Sequence, residues 1–207
     1  DLLLEESNDV IDSEFGSILF SIKNNSKRLY RTFDLLLNMS QMQTGKYEVR
    51  LEKINIMSLF KTLKNDFNSL AEEKGLVINL TSSLPDDTTI VADHYSMTQI
   101  FANLIDNSIK YTNKGEINCT IYRTNANVCI DISDTGKGIS KEYVNKLFAP
   151  FTQEEMGYTR RYDGTGLGLA LAKNFVDVNK AQLKVKSELN IGTTFTVILN
   201  GDKKWGI

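Results

Sequence analysis

Apolar residues recur along the first forty-odd positions in alternating steps of four and three. Ile11, Phe15, Ile18, Ile22, Leu29, Leu36 and Met39 form the row, with Asn25 and Thr32 as its polar members. This is heptad spacing, and it predicts a long helix of the coiled-coil or bundle type. Leu19, Phe33 and Leu37 flank the row and widen it beyond a two-stranded seam, which favours a bundle. An amide such as Asn25 within a seam fixes register at a cost in stability. No helix of equal length follows, so the stripe predicts self-association. Ahead of it, Leu2–Glu6 reads as the stub of another helix, and Thr44–Gly45–Lys46 ends the helical period.

From Tyr47 the pattern changes to alternating helices and strands. Tyr47–Leu51 reads as a strand. Phe60, Leu63, Phe67, Leu70 and Ala71 share one helical face, stopped at Lys74–Gly75. Leu76–Leu80 and Thr89–Val91 are short strands. Asp93 then caps a helix whose apolar face holds Met97, Ile100, Phe101, Leu104, Ile105 and Ile109. Glu116–Arg123 and Asn127–Ser133 alternate around Asn125 and predict a hairpin. Lys141–Phe148 reads as a short helix, Ala149–Asp163 as a mobile loop without period, and Leu167–Val178 as a helix. Leu183–Ser187 and Thr193–Leu199 close the chain as strands. The expected fold class is α/β, with a mixed sheet because at least one connection is a hairpin.

Composition narrows the function classes. The 207 residues are 41% hydrophobic and 24% charged, enough to fill a core. A net charge of −2 gives no electrostatic footprint for nucleic acid or an anionic membrane. No apolar run approaches the roughly 20 residues of a membrane span. Cys119 and Cys129, both inside β-branched runs, read as buried reduced thiols, and a cytoplasmic setting is expected. The chain opens on Asp1, as a piece of a longer polypeptide would.

Three elements carry candidate chemistry. Asn103, Asn107 and Lys110, at i, i+4 and i+7, share the polar face of the Asp93 helix. Amide oxygens suit a magnesium shell that retains waters, and a lysine suits phosphate oxygens. Asp134–Thr135–Gly136–Lys137–Gly138 follows a strand directly. A carboxylate there accepts from the exocyclic amine of adenine and repels the carbonyl of guanine, and glycines admit a flat base to the backbone. Gly164–Thr165–Gly166–Leu167–Gly168–Leu169 opens a helix, where backbone N–H groups and the dipole favour phosphate. It lacks the Lys-Ser/Thr ending of a P-loop and no strand leads into it.

In this order and on these elements, the three resemble the N, G1 and G2 boxes of the sensor histidine kinase catalytic domain. Phe148–Ala149–Pro150–Phe151 is similar to that family's F box, and Gly192–Thr193–Thr194–Phe195 to its closing motif. The resemblance runs from Tyr47 to Leu199. The preceding helix, with its Asn38–Met39–Ser40 to Gly45 exit, resembles the second helix of the dimerisation and phosphotransfer domain. It implies a Bergerat-type sandwich, a mixed sheet with helices on one face, over 47–207, preceded by a dimerisation region over 1–46. ATP and Mg2+ are the implied cofactors. Asn107 would bind magnesium, Asn103 would support the metal or its waters, and Lys110 and Tyr111 would meet phosphates. Asp134 would bind adenine, with Thr193 helping through a water. Gly136 and Gly138 would line the base, while Gly164, Gly166 and Gly168, with Thr165, Leu167 and Leu169 between them, would wrap the phosphates. Phe148 and Phe151 would anchor a lid, and Arg160 or Arg161 would reach the γ-phosphate.

Related ATPases such as gyrase and MutL place a glutamate where this chain has Asn103, and an amide cannot take a proton from water. Asn103 therefore points to phosphoryl transfer to a protein imidazole rather than to hydrolysis. The implied partners are an acceptor-histidine helix of the same kinase, a second copy through the N-terminal helix, and a response-regulator receiver domain. The only histidine is His94, at the start of the Asp93 helix. It reads as a surface residue, so the acceptor segment is expected to be missing and self-phosphorylation impossible. Phosphatase activity toward a regulator is expected to be impaired as well. A gyrase-type conformational switch and a degenerate interaction module are the competing readings.

Overall fold

A computed structural model describes residues 13–153 and 165–200. By their contacts the residues divide into two units, Asp1–Gly45 and Lys46–Ile207. In the first, the described element is one helix, α1 (Ser13–Gln43). Seven apolar residues of its predicted stripe (Phe15, Ile18, Ile22, Leu29, Phe33, Leu36 and Leu37) are 44–61% exposed. A row of that size normally lies against another helix. The helix stops at Thr44–Gly45, where Gly45 adopts φ 65°, the left-handed conformation that ends helices without steric cost. Ile11 and Leu2–Glu6 lie outside the described residues.

The second unit runs β1 (Leu51–Asn55), α2 (Ile56–Glu72), β2 (Leu76–Ser82), β3 (Thr89–Asp93), α3 (His94–Tyr111), β4 (Gly115–Thr124) and β5 (Asn127–Asp134). It continues with α4 (Lys141–Val144), α5 (Gly168–Val178), β6 (Gln182–Glu188) and β7 (Gly192–Leu199). Five strands form one sheet in the order β2-β4-β5-β7-β6. β2 and β4 are parallel; every other pair in it is antiparallel. The predicted mixed sheet and the β4–β5 hairpin are both present, and Asn125 in the hairpin turn has φ 54°.

Alternation along these strands sorts the two faces. Ile117, Cys119, Ile121, Ile130, Ile132, Phe195 and Val197 are buried on one side, under α2, α3 and α5. The other side is a polar ladder: the Asn79 amide donates to Asn118 Oδ1 at 2.9 Å, and Ser133 and Thr194 hydroxyls meet at 2.9 Å. Helices on one face only are what this pattern demands. Cys119 and Cys129 are buried and unpaired with each other, and burial pushes the Cys119 thiol up to about 12.

Two elements differ from their sequence expectation. The strand expected at Tyr47–Leu51 begins only at Leu51 and pairs with β3 in a separate two-stranded ladder. Residues 47–50 are instead tied to one carboxylate: the Tyr47 hydroxyl donates to Asp93 Oδ1 and the Arg50 N–H to Asp93 Oδ2, both at 2.8 Å. A backbone N–H spent on a side chain is lost to a ladder. The helix expected at Lys141–Phe148 is α4 alone, followed by tight i→i+3 turns at Lys146 and Leu147. Pro150 lies just beyond and disfavours the helical region for the residue before it. Of the expected loop, residues 149–151 bend and turn, 152–153 are irregular, and 154–163 lie outside the described residues.

Candidate functional site

α3 organises the site. Its first turn is capped by Asp93, whose Oδ1 accepts from Ser96 N at 2.7 Å. Met97, Ile100, Phe101, Leu104, Ile105 and Ile109 are at most 2% exposed, with Phe101 against Phe60 at 4.7 Å between ring centroids. Burial of this stripe turns Asn103, Asn107 and Lys110 to the opposite face, where all three are half-buried. At the last turn the carbonyls that a helix leaves unpaired find donors. Thr112 N reaches Ser108 O at 3.1 Å, and Lys137 N reaches Tyr111 O at 3.2 Å. The Lys74 ammonium meets Ile109 O at 2.9 Å and Lys110 O at 3.0 Å. A cation there also complements the negative end of the helix dipole.

Asp134 ends β5 and is 8% exposed. Its Oδ1 accepts from the Gly136 and Thr193 N–H groups at 3.0 and 3.2 Å, and its Oδ2 from the Ser108 hydroxyl at 3.1 Å. Burial pushes its pKa up, the three hydrogen bonds oppose that, and the net direction is upward. Thr193 is Asp134's partner in the β5–β7 ladder, which explains why residues 59 apart meet here. The Thr193 hydroxyl pairs with Ser187 Oγ at 2.8 Å.

Two glycines keep the ground in front of this carboxylate clear. A Cβ on Gly136 would fall 2.6 Å from Tyr111 O, 2.9 Å from Asp134 Oδ1 and 2.9 Å from Thr112 Oγ1. Gly138, at φ 69°, would place one 2.0 Å from Glu188 O. The Thr112 hydroxyl is the one fully buried side-chain polar atom without a hydrogen-bond partner among the described residues. An orphaned hydroxyl, a desolvated carboxylate and backbone stripped of side chains suit a flat, polar-edged base.

The third motif meets the first at the start of α5. A Cβ on Gly168 would sit 3.0 Å from Asn103 Oδ1. Asn103 donates its Nδ2 to Gln99 O at 2.8 Å, which aims its amide oxygen at the α5 N-terminus. Gly166, at φ 72°, accepts from Phe151 N at 3.1 Å. Thr165 Oγ1 faces Leu167 N at 3.4 Å; Leu167 is buried and Leu169 half-buried. Phe148 is half-buried, and Phe151 is 65% exposed with φ 62°. Arg160, Arg161 and Gly164 lie outside the described residues. Among the described residues no three His, Cys, Asp or Glu side chains cluster as a metal centre. A hard cation here would draw on amide oxygens such as that of Asn107, with phosphate and water completing its shell.

Sequence reasoning passed over Ser108, Lys74 and Lys137. Ser108 had a signal: it is a hydroxyl inside the apolar stripe Leu104–Ile105–Ile109, and a polar residue on a buried face has a partner. Lys74 and Lys137 gave none, because turn lysines are ordinary surface residues. His94 is exposed at the first position of α3.

Residues 92–203 match the family described as histidine kinase-, DNA gyrase B-, and HSP90-like ATPase. The chain is 31% identical over 184 residues to the autoinducer 2 sensor kinase/phosphatase LuxQ of Vibrio parahaemolyticus, covering 86% of this chain and 21% of LuxQ. It is 32% identical over 209 residues to hybrid signal transduction histidine kinase L of Dictyostelium discoideum, covering 98% and 12%. The chain thus spans about a fifth or less of the length of these relatives. Its fold is similar to that of full-length ShkA in complex with AMPPNP, with TM-score 0.76, 24% identity, and coverage of 93% of this chain and 40% of that one. It is also similar to the Acinetobacter baumannii histidine kinase AdeS, with TM-score 0.74, 20% identity, and coverage of 97% and 90%. The family match and the likeness of fold thus cover the span that carries the half-buried amide face, the desolvated aspartate and the glycine-opened helix: the chain belongs to the histidine kinase-, DNA gyrase B- and HSP90-like ATPases, as an ATP-binding catalytic core of the sensor histidine kinase type.

Proposed function

We propose that this chain is the phosphoryl-donor part of a two-component sensor kinase, passing the γ-phosphate of ATP to a histidine that lies outside residues 1–207. The observation that carries the reading is the close approach of Asn103 Oδ1 to the start of α5, where a Cβ on Gly168 would lie 3.0 Å from it. An amide holds the place from which a carboxylate would activate water, so the site positions a nucleotide without a general base of its own. The acceptor brings its own nucleophile, and this chain contributes orientation and electrostatics.

In this reading Asp134 accepts from the adenine amine, with Thr193 beside it, and Gly136 and Gly138 admit the base. Asn107, supported by Asn103, holds magnesium, which when bound neutralises phosphate charge. Lys110 and Tyr111 meet the phosphates. Gly164 to Leu169 wrap them, Phe148 and Phe151 anchor the covering segment, and Arg160 or Arg161 offsets charge at the γ-phosphate. His94, exposed at the opposite end of α3 from Lys110, is not the acceptor. Residues 1–46 form the dimerisation part, and a second copy of α1 covers its exposed stripe, supported by its heptad spacing. A receiver domain is the onward partner.

Mixing the chain with ATP, magnesium and a separate fragment carrying the kinase's acceptor helix tests the reading. Acid-labile phosphate on that fragment, abolished by Asn107→Asp, is the expected result. Steady ATP hydrolysis with no transfer would instead place the chain with the gyrase-type switches.

A further inference from the structure

Thr112 closes α3, and its hydroxyl is the buried side-chain polar atom that has no hydrogen-bond partner among the described residues. Its backbone is satisfied: Thr112 N donates to Ser108 O at 3.1 Å, and the residue is fully buried. One turn earlier on the same side of the helix, the Ser108 hydroxyl has an acceptor in Asp134 Oδ2 at 3.1 Å. Thr112 Oγ1 instead shares a small space with the other carboxylate oxygen. A Cβ on Gly136 would lie 2.9 Å from both Thr112 Oγ1 and Asp134 Oδ1, so the two are no more than about 6 Å apart. One water spans such a gap with two ordinary hydrogen bonds.

Burying a hydroxyl without a partner is costly, and valine would keep the same shape without that cost. The hydroxyl gives the free protein no stability, and it is available to whatever enters beside Asp134. In the adenine reading of Asp134, on which this inference rests, that is the base. Adenine presents a donor, its exocyclic amine, next to an acceptor, the ring nitrogen N1. An ionised carboxylate can answer only the donor. We infer that Thr112 answers the acceptor, through one water held between its hydroxyl and Asp134. The water accepts from the Thr112 hydroxyl and donates twice, to Asp134 Oδ1 and to N1. Asp134 and Thr112 then read the amine and N1 together, a pattern that guanine and hypoxanthine, protonated at N1, do not offer. Thr112 is thus a specificity-determining residue for the base.

The test measures binding of the whole chain to ATP and to 1-deaza-ATP, which keeps the amine and lacks N1. The unsubstituted protein is compared with Thr112→Val and Thr112→Ser. Thr112→Val is expected to weaken ATP about three- to tenfold, and 1-deaza-ATP less than about twofold, because the latter has no acceptor to lose. Thr112→Ser is expected to keep ATP affinity within about threefold. The nucleotide-free melting temperature of Thr112→Val is expected to hold or rise, which a hydroxyl with a structural partner would not allow. A lower melting temperature, an ATP affinity within twofold, or equal losses for ATP and 1-deaza-ATP would overturn the inference. So would 1-deaza-ATP binding to the unsubstituted chain as tightly as ATP. Asp134→Asn separates the two failures: ATP affinity unmoved by that variant would overturn the adenine reading as well, and a loss there would leave it standing.

Discussion

At the first turn of α3 a cluster of buried polar residues is fully satisfied; at the last turn the polar groups are half-open and one buried hydroxyl is orphaned. The first-turn cluster is Asp93, Ser96 and Asn179, each at most 6% exposed. Asn179 Nδ2 donates to Ser96 Oγ at 2.7 Å and to Phe175 O at 2.8 Å, while its Oδ1 accepts from Asp93 N at 3.1 Å. The Asp93 carboxylate takes three more donors, from Tyr47, Arg50 and Ser96. The last-turn cluster has Asp134 with its pKa displaced upward, Thr112 unpartnered and two lysines over one ring. One end has been spent on stability. The other keeps its interaction capacity for something that arrives later, the usual division between scaffold and site.

The pKa directions express the same contrast. Burial alone would raise the Asp93 carboxyl, but donors from Ser96, Arg50 and Tyr47 outweigh it and hold the value below the usual range. Around Asp134 burial wins. A depressed native pKa gives stability that is present above the unfolded value, near 3.9, and lost as pH falls through the native value. A raised one makes ionisation a cost that is full above the native value and is relieved as pH falls through it toward the unfolded value.

Three substitutions would break or sharpen the contrast, taken from the largest effect down. Asp93→Ala removes a helix cap and strands two further donors, so unfolding should become easier by roughly 3–4 kcal/mol, read by denaturant melts. ATP affinity below the new midpoint should shift only a few-fold; a loss of binding without loss of stability would erase the distinction. Asp134→Asn should do the reverse. ATP affinity should fall at least ~100-fold, about 2.7 kcal/mol, while the melting temperature holds or rises, because a buried charge has been removed. With Asp134 intact, ATP binding should weaken as pH falls through its raised pKa, since the adenine amine donates to the ionised form; titration calorimetry across pH reads this. Tyr47→Phe removes one hydrogen bond from the sealed end and should cost about 1 kcal/mol of stability, with nucleotide affinity unmoved.

Much of this was legible in the residues. The stripe Met97–Ile109 fixed which face of α3 is polar, and so placed Asn103, Asn107 and Lys110 together before any coordinates existed. Asp93 as a cap and Asp134 at a strand end also read directly. What stayed hidden depended on pairing between distant segments. Thr193 reaches Asp134 only through the β5–β7 register, and Asn179 reaches Asp93 across 86 residues. Tyr47–Leu51 has the alternation of a strand, but Asp93 takes the Arg50 N–H that a ladder would use, and the strand begins only at Leu51. Periodicity reports which side of an element is buried, and long-range hydrogen bonds decide what the buried side touches.

Cys119 offers a practical consequence. Its thiol is buried against the helices, with its pKa pushed up to about 12, so almost none of it is thiolate at neutral pH. Reaction with a maleimide must then wait for the sheet to part from its helical cover. The labelling rate of this one sulfur counts opening events in the native protein, without denaturant and without assuming anything about nucleotide. A ligand that settles at the open end of α3 should slow that clock, and a cut at the sealed end should speed it.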